Sequence, residues 1–249
     1  KPMTIEKEGR SLEITLHHAG HIAGAVSVGI HSKNEKIFFT GDVLFNDQRT
    51  LDGAIPPLEP VDVLITEPTR GSTQRDPSHQ RENEMVNLLE ETRKALLKGG
   101  SVLIPVFALG RMQEMLVVID EAFRRKALPK VPVFCSGLGM DLVNHLHEVA
   151  KNSEHLHFNR KVLKSIGARP LPRKIEPGHE LPMRGIYLVS SGMLVEHTPS
   201  YMLSPSILKD DRNSILFVGY CDPSTPGGKL LETQPGQPFD FEAIDWSEQ

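Results

Sequence analysis

Residues 99–128 have the sequence GGSVLIPVFALGRMQEMLVVIDEAFRRKAL, and this stretch decides the fold class. Its first part, SVLIPVF (101–107), is a short apolar run of the kind found in buried strands. Its second part, residues 109–128, has the apolar spacing of a helix. A strand that leads into a helix in this way is typical of βαβ units, which form parallel sheets with right-handed crossovers.

The alternation of strands and helices extends on both sides of this stretch. A helix is predicted over residues 79–98, and Gly99 and Gly100 provide its end. Thr198 and Pro199 are suited to the N-cap and the first position of a further helix. The remaining predicted elements are strands over residues 131–136, 185–191 and 214–220 and helices over residues 139–151 and 198–208.

The first part of the chain, up to about residue 75, shows strand and turn patterns rather than helical ones and is predicted to be β-rich. Residues 11–18 and 25–32 alternate apolar and polar side chains, as half-buried strands do. Residues 36–40 follow a short turn, so the second and third strands are expected to form a hairpin. Residues 61–66 are almost entirely apolar, which favours a buried strand.

The composition of the 249-residue chain is that of an ordinary globular protein, with 39% hydrophobic and 24% charged residues. This excludes a disordered or collagen-like chain. The two cysteines exclude a disulfide framework and fit a reducing compartment, so the expected location is the cytoplasm. No apolar run is long enough for a transmembrane helix, and no membrane partner is expected. The net charge of −4 gives no general argument for nucleic-acid binding, so such an argument must rest on local features.

His21 and Asp42 are predicted to lie at the same edge of the first sheet. His21 follows the strand at residues 11–18, the chain then runs back and returns, and Asp42 follows the strand at residues 36–40. An imidazole and a carboxylate on neighbouring loops are suited to a hard or borderline metal ion. The spacing alone equally allows a surface histidine and an aspartate in a turn. Glu67 ends the next apolar run, where it is either a functional group or the partner of a nearby cation.

Two loops of the α/β region are candidates for phosphate binding. ALGR (108–111) lies between a predicted strand and a predicted helix, where backbone N–H groups and Arg111 are able to meet an anion. SSGM (190–193) is a small-residue loop of the same type that follows another predicted strand. Each loop alone is a weak signal, because many connections in α/β proteins have this composition.

Residues 155–175 carry basic and no acidic side chains, which makes a local positive stripe in an acidic protein. Either a nucleic-acid contact or a solvated basic loop explains this stripe. The basic residues of the stripe are Arg160, Lys161, Lys164, Arg169, Arg173 and Lys174.

Cys135 and Cys221 are interpreted as small core residues, and His17 and His18 as packing residues or as groups that orient the site.

Six motifs occur in a specific order along the chain: AGHIAGA (19–25), FTGD (39–42), LITEPTRG (64–71), GGSVLIPVFALGRMQEML (99–116), VSSGML (189–194) and ILFVGYCDPSTPGGKL (215–230). In this order they resemble the β-CASP branch of the metallo-β-lactamase superfamily, which includes RNA-processing nucleases. The resemblance covers nearly all of the chain.

The resemblance implies an α/β fold in which a β-CASP domain with a parallel sheet is inserted into a partial metallo-β-lactamase αββα sandwich. Residues 1–71 and 221–249 would belong to the metallo-β-lactamase domain, and residues 72–220 to the β-CASP domain.

The resemblance also implies a metal centre with two zinc ions. His21 matches a zinc ligand of the family, and Asp42 matches the aspartate that bridges the two ions. Glu67 matches an acidic residue that orients a catalytic histidine. Asp42 and Glu67 are therefore expected to be catalytic, with the metal pair activating water for in-line attack on phosphorus.

Further residues are expected to contact RNA phosphates where the two domains of the family form a cleft. They are Arg111 of the ALGR loop and Ser190, Ser191 and Gly192 of the SSGM loop. Lys229 occupies the position at which many members carry the histidine that acts as general acid. A lysine at that position is able to contact a phosphate or the leaving oxygen, so Lys229 is expected to take part in both binding and catalysis.

Two parts of the family pattern do not occur in these 249 residues. They are the H-x-H-x-D-H motif, which supplies most metal ligands in the family, and the C-terminal histidine motif. Either the chain is a piece of an active enzyme, or it is a divergent subunit that lacks the site. The start at Lys1 favours a piece that is inactive by itself. So does the expectation that residues 1–10 supply no sheet neighbour for residues 11–18.

The expected function of the whole protein is zinc-dependent hydrolysis of RNA, within the strand or from an end. The alternatives are a non-catalytic RNA-binding or scaffold subunit and a DNA-acting nuclease. Hydrolysis of small esters is disfavoured, because the long α/β insertion would cover the cleft and favour a polymer that passes between the two domains. The expected partners are single-stranded RNA and, in a homodimer, a second copy of the chain.

Overall fold

The computed structural model describes residues 2–69, 71–72, 74, 80–136, 138–172, 175–176, 180–234 and 236–241. It divides into two compact units. The first unit comprises Lys1–Asp76 and Glu148–Phe158, and the second comprises Pro77–His147 and Asn159–Gln249. Residues after 220 thus group with the second unit, and the predicted domain bounds of 1–71, 72–220 and 221–249 stay predictions.

The first unit contains one five-stranded sheet whose strands follow one another in chain order. Neighbouring strands are antiparallel, except that the last two run parallel. The predicted hairpin is confirmed, since Val28 lies opposite Phe39 in the register of its two strands. The strands are β1 (Met3–Lys7), β2 (Arg10–His18), β3 (Val26–His31), β4 (Lys36–Phe39) and β5 (Val63–Ile65).

The expectation that residues 1–10 supply no sheet neighbour is wrong. β1 pairs with β2 along its whole length, from Met3 opposite Ile14 to Lys7 opposite Arg10. The reversal is made by Glu8 and Gly9, whose φ angles of 51° and 72° are both positive. Two consecutive residues with positive φ are the mark of a tight hairpin turn, which a polar sequence forms without an apolar signal.

The predicted burial of β5 is also wrong. Val63, Leu64 and Ile65 are 38%, 60% and 47% exposed. β5 is the last strand of this sheet, and among the described residues its ladder partner is β4. Apolar composition identifies a strand but does not tell whether another layer covers its two faces.

The second unit contains a five-stranded parallel sheet, which confirms the predicted α/β class. Its order is β10-β6-β9-β7-β8. The strands are β6 (Val102–Pro105), β7 (Val133–Cys135), β8 (Ala168–Pro170), β9 (Ile186–Val189) and β10 (Ser214–Ile215). The chain also forms α1 (Arg81–Leu97), α2 (Arg111–Arg124), α3 (Leu138–Ala150), α4 (Lys161–Ile166), α5 (Pro199–Leu208) and α6 (Pro226–Glu232).

The core of the second unit forms around β6 and β9, whose residues are all buried. The helix α2 buries Met112, Met115 and Ile119. Because these apolar residues recur at helical spacing, the sequence predicts both the helix and the face that is buried. None of the described helices is long and apolar enough to cross a membrane.

Besides β1, three short elements were not predicted from the sequence. The basic stripe contains α4 and β8, separated by Gly167, which ends α4 in the left-handed conformation with a φ of 66°. After residue 220 the chain forms α6, whose N-cap Thr225 accepts a hydrogen bond from the Gly228 N–H. In contrast, the strand predicted over residues 214–220 is limited to Ser214–Ile215. Arg173 and Lys174 of the stripe lie outside the described residues.

We expect Leu103→Ala to lower the free energy of unfolding by about 2–5 kcal/mol, because the side chain is fully buried and its removal leaves a cavity. Leu97→Ala on α1 is the matched control, since Leu97 is 62% exposed and its truncation should change stability by no more than about 0.5 kcal/mol. Urea unfolding followed by circular dichroism measures both values. Equal midpoints for the two variants would contradict this account of the core.

Candidate catalytic and phosphate-binding loops

Three loops of the first unit are joined by hydrogen bonds at one edge of its sheet. The Leu44 N–H donates to the Ala19 carbonyl over 2.9 Å, which ties the loop after β4 to the loop after β2. The Val43 N–H donates to Glu67 Oε1 over 2.8 Å, which ties the same loop to the residues after β5. The loops that carry His21, Asp42 and Glu67 are therefore neighbours, and the strand path had predicted this for His21 and Asp42.

The close approach of these loops depends on Gly20. Its φ angle is 68°, and a Cβ atom there would lie 2.3 Å from the Leu44 carbonyl oxygen and 2.4 Å from the Ala54 nitrogen. A side chain at this position would push the two loops apart. The glycine of the AGH motif is thus required by packing, next to the exposed His21.

Glu67 holds the loop of Asp42 in place. The Thr69 hydroxyl donates to Glu67 Oε2, and this bond is the largest cause of a lowered Glu67 pKa. The Val43 N–H lowers the same pKa further, and the nearby His21 adds a smaller electrostatic effect. Glu67 therefore stays ionised at neutral pH and fixes the backbone next to the exposed Asp42.

The described residues do not form a complete metal site. No group of three or more His, Cys, Asp or Glu residues among them is placed to hold a metal ion. His21 and Asp42 offer a nitrogen and an oxygen donor of the kind that zinc accepts, but a catalytic zinc normally has three protein ligands. These two residues alone therefore fall short of a zinc centre.

A histidine cluster around Asp52 was not predicted from the sequence. His155 Nδ1 lies 3.1 Å from Asp52 Oδ2, and His157 Nε2 lies 2.6 Å from Asp52 Oδ1. His18 Nε2 lies 2.9 Å from the Asp52 carbonyl oxygen, and its ring stacks on that of His155 with centroids 4.6 Å apart. His18 is thus a structural residue, which agrees with the packing interpretation.

The backbone explains why both histidines reach the same carboxylate. The Asp52 N–H donates to the His155 carbonyl, the His157 N–H donates to the Thr50 carbonyl, and Leu51 forms an antiparallel bridge with Leu156. Alternate residues of an extended segment face the same side, so the spacing H-x-H was the signal that sequence reasoning overlooked. The partner aspartate, more than a hundred positions away, gave no signal at all.

In the second unit, three loops meet at the carboxyl ends of the adjacent strands β10, β6 and β9. Phe107, which precedes the ALGR loop, packs against Gly192 of the SSGM loop and near Gly219 after β10. The Gly227 N–H at the start of α6 donates to the Met193 carbonyl over 2.9 Å. The structure therefore brings together the SSGM loop, the beginning of the ALGR loop and the helix of the exposed Lys229.

The SSGM loop is held rigidly from within. Ser191 Oγ accepts the Val195 N–H over 3.0 Å, and the Ser191 carbonyl accepts the Ser200 hydroxyl over 2.7 Å. The Ser200 N–H donates to the Ser190 carbonyl over 2.9 Å. The Ser191 oxygen is thus engaged in shaping the loop, whereas Ser190 is half-buried at its start.

Arg111 is the first residue of α2 and lies beside a buried charge pair. Glu114 is fully buried and accepts a hydrogen bond of 2.7 Å from Arg81 Nη2. The Arg111 pKa is lowered by burial and by the charge of Arg81, and raised to a smaller extent by Glu114. Two guanidinium groups against one carboxylate leave an excess positive charge at this site.

The Beta-Casp domain profile matches residues 112–230 of the chain. This chain belongs to the β-CASP branch of the metallo-β-lactamase superfamily. The matched range includes the SSGM loop and Lys229, whereas the ALGR loop (108–111) ends just before it.

Several curated β-CASP relatives match along most of the chain. Endoribonuclease ysh1 of Schizosaccharomyces pombe is 33% identical over 229 residues, which cover 87% of this chain and 28% of that protein. The RNase J-like protein of Methanocaldococcus jannaschii is 30% identical over 92% of this chain and 54% of its own length. Integrator complex subunit 11 of Danio rerio is 32% identical over 90% of this chain and 37% of its own length. The chain thus spans from about a quarter to about half of these relatives.

Asp52→Ala should destabilise the first unit at neutral pH, because it removes the acceptor that joins His155 and His157. The pKa of Asp52 is lowered mainly by the hydrogen bonds from His157 and His155. A lowered pKa means that the stabilisation is present above about pH 5 and is lost as the pH falls through the folded-state value. Since the carboxylate is 38% exposed, we expect at most about 1 kcal/mol.

The measurement is urea unfolding of the wild type and Asp52→Ala at several pH values, with Asp211→Ala as an exposed control. The difference caused by Asp52→Ala should shrink steadily under acid conditions. A difference that is constant with pH, or equal to that of Asp211→Ala, would show that the cluster does not stabilise the fold.

Proposed function

We propose that the whole protein is a metal-dependent phosphodiesterase that hydrolyses RNA. The observation that carries this proposal is the joining of the His21, Asp42 and Glu67 loops through the Leu44–Ala19 and Val43–Glu67 hydrogen bonds. Relatives that match over most of the chain are named endoribonucleases, which supports RNA as the substrate and internal cleavage as the reaction.

His21 and Asp42 would supply two ligands of a centre with two zinc ions, and the other ligands would come from outside the described residues. Zinc in such a centre activates water for attack on a phosphodiester. The residues of this chain would orient the centre: Glu67 fixes the Val43 backbone, and Gly20 lets the loops close upon each other. In this scheme Glu67 is a positioning residue, and Asp42 is the one that touches the metals.

The cationic loops of the second unit would bind the RNA backbone. Arg111 would contribute positive charge beside the Arg81–Glu114 pair, and Ser190 is the predicted SSGM side chain nearest to being available. Ser191 and Gly192 would act by shaping the loop, through the Val195–Ser191 hydrogen bond and the packing of Gly192 against Phe107. Lys229 is exposed on α6, whose start is tied to the SSGM loop. A protonated lysine there is able to donate to a phosphate or to the leaving oxygen, in place of the histidine of other members.

A second candidate is a non-catalytic RNA-binding or scaffold subunit; a homodimer stays a separate prediction from the sequence. Lys229, at the position where many members of the family carry a histidine, is the feature that favours it. The RNA-binding loops would keep the same role in that case. Action on DNA stays a prediction from the sequence. So does a cytoplasmic location, which was inferred from the two cysteines; both are free in the structure.

This chain by itself should bind zinc weakly. Two ligands on exposed loops cannot hold a pair of ions, because each ion needs further protein donors. Zinc titration by calorimetry measures the affinity, and His21→Ala should reduce the remaining weak binding while His31→Ala should leave it unchanged. Tight binding of two equivalents by the 249-residue chain would overturn this ligand assignment.

In the whole protein, Asp42→Ala and Arg111→Ala should have opposite effects. Asp42→Ala should abolish RNA hydrolysis and leave RNA affinity largely intact, because the carboxylate contacts the metals. Arg111→Ala should weaken RNA binding, reduce the slope of log affinity against log salt by about one unit or less, and leave the zinc content intact. Cleavage assays, binding at several salt concentrations and metal analysis measure these effects.

Arg125→Ala, an exposed arginine at the other end of α2, is the control for a general loss of charge. It should change the salt slope much less than Arg111→Ala. Wild-type cleavage by Asp42→Ala, or loss of zinc with unchanged RNA affinity in Arg111→Ala, would refute the assigned roles.

A further inference from the structure

Two aromatic side chains are exposed beside the cationic loops of the second unit. Phe107 follows β6 and is 39% exposed, and Tyr220 follows β10 and is 64% exposed. The two strands are neighbours in the sheet, and Gly219, which precedes Tyr220, lies next to the Phe107 ring. Both rings therefore leave the same sheet edge as the SSGM loop.

Phe107 packs against two glycines. A Cβ atom at Gly192 would lie 3.0 Å from the ring carbons Cδ2 and Cε2, and one at Gly219 would lie 3.5 Å from Cε2. The Phe107 carbonyl accepts the Met112 N–H over 3.1 Å, which ties the residue to the start of α2. The ring is thus packed against backbone on one side while a large part of it stays open to solvent.

Tyr220 is anchored at its polar end. Its hydroxyl donates to Asp222 Oδ2 over 3.2 Å, and Asp222 Oδ1 accepts the Ser224 N–H and hydroxyl. The charge of Asp222 raises the Tyr220 pKa, so the phenol stays protonated and keeps its donor at neutral pH. The hydrogen bond orients the ring and leaves its apolar body exposed.

From this arrangement we infer that Phe107 and Tyr220 stack on unpaired bases of RNA whose phosphates meet Arg111, Lys229 and the SSGM loop. The inference rests on the proposed function and names the form of its substrate, a single strand. Exposed rings next to backbone-binding cations are the combination by which proteins hold single-stranded nucleic acid. Phe107 packs against Gly192 and the Tyr220 hydroxyl is bonded to Asp222, and both contacts reduce the conformational entropy that is lost when a base is stacked.

Stacking of this kind distinguishes substrates by strandedness and hardly by sequence. Every base has an aromatic face, so the rings should accept all four bases, whereas bases paired within a duplex do not present that face. Phosphate contacts respond to salt, and stacking contacts do not to the same extent. The two kinds of contact are therefore separable by experiment.

The test uses short single-stranded RNA that carries the fluorescent adenine analogue aminopurine, whose emission is quenched when it stacks. Phe107→Leu and Tyr220→Leu should each weaken binding by roughly tenfold, reduce the quenching and leave the salt slope unchanged. Tyr220→Phe keeps the ring and should retain most of the quenching. Leu208→Ala is the control for an exposed apolar side chain, since Leu208 is 46% exposed but ends α5, whose first turn is the one bonded to the SSGM loop.

An abasic oligonucleotide with the same phosphates provides the second arm. It should bind the wild type and the two leucine variants with equal affinity, because it has no bases to stack. If Phe107→Leu also weakens binding of the abasic strand, the effect is a displaced loop and the inference is overturned. Circular dichroism confirms that each variant is folded.

The outcomes separate this inference from the proposed function. If the wild type binds no RNA at any salt concentration, the proposed function fails and the inference fails with it. If the wild type binds RNA but both leucine variants bind and quench like the wild type, only the stacking inference is overturned. Binding of duplex as tight as that of single strands would also overturn it.

Discussion

The parallel pairing of β6 with β9 is the constraint on which the second unit depends. Leu103 lies opposite Tyr187 and Ile104 opposite Leu188, and all four side chains are buried. The pairing continues to the end of the strands, where the Val106 N–H donates to the Val189 carbonyl over 2.9 Å. Because parallel strands end at the same edge, the loops that follow β6 and β9 must emerge side by side. The positions of the ALGR and SSGM loops are thus a consequence of core packing.

Glycine decides how closely these loops approach. Gly20 in the first unit and Gly192 in the second both lie where a Cβ atom would meet another loop, at 2.3 Å from the Leu44 carbonyl and at 3.0 Å from the Phe107 ring. At Gly20 the φ of 68° adds a conformational reason for glycine. In both units, the residues offered for chemistry lie next to a glycine that serves packing, so substitution of either glycine would displace the site without removing any functional group.

The charged groups follow a similar division between holding and binding. A fully buried carboxylate is costly unless it is paired, and Arg81 supplies the partner of Glu114. Arg111 then adds positive charge to a pair that is already neutral. In the first unit, Glu67 and Asp52 are engaged in structural hydrogen bonds, whereas Asp42 is exposed. Of these side chains, Arg111 and Asp42 are the ones proposed to contact a ligand, and neither is needed for the structural contacts described above.

The sequence by itself determined the strand–helix alternation of the second unit, the first-unit hairpin and the family. Each of these rests on local periodicity or on ordered motifs, as in β6 followed by α2, so no long-range information was required. The sequence also placed His21 and Asp42 at one edge, since a short up–down–up path of strands leaves little freedom. The sequence did not predict β1, α4 or α6, because these elements are too short to show a periodic pattern. It also did not predict the exposure of β5, which depends on what packs against that strand.

Only the tertiary structure decided which distant side chains meet. The contacts of Asp52 with His155 and His157, of Arg81 with Glu114 and of Phe107 with Gly192 join residues that lie far apart in the chain. Such contacts arise when sheets and helices pack, and a single sequence carries no periodicity across these separations. The sequence therefore determines the residue types and the local elements. The contact partners of a side chain and its exposure to solvent depend on how those elements pack in three dimensions.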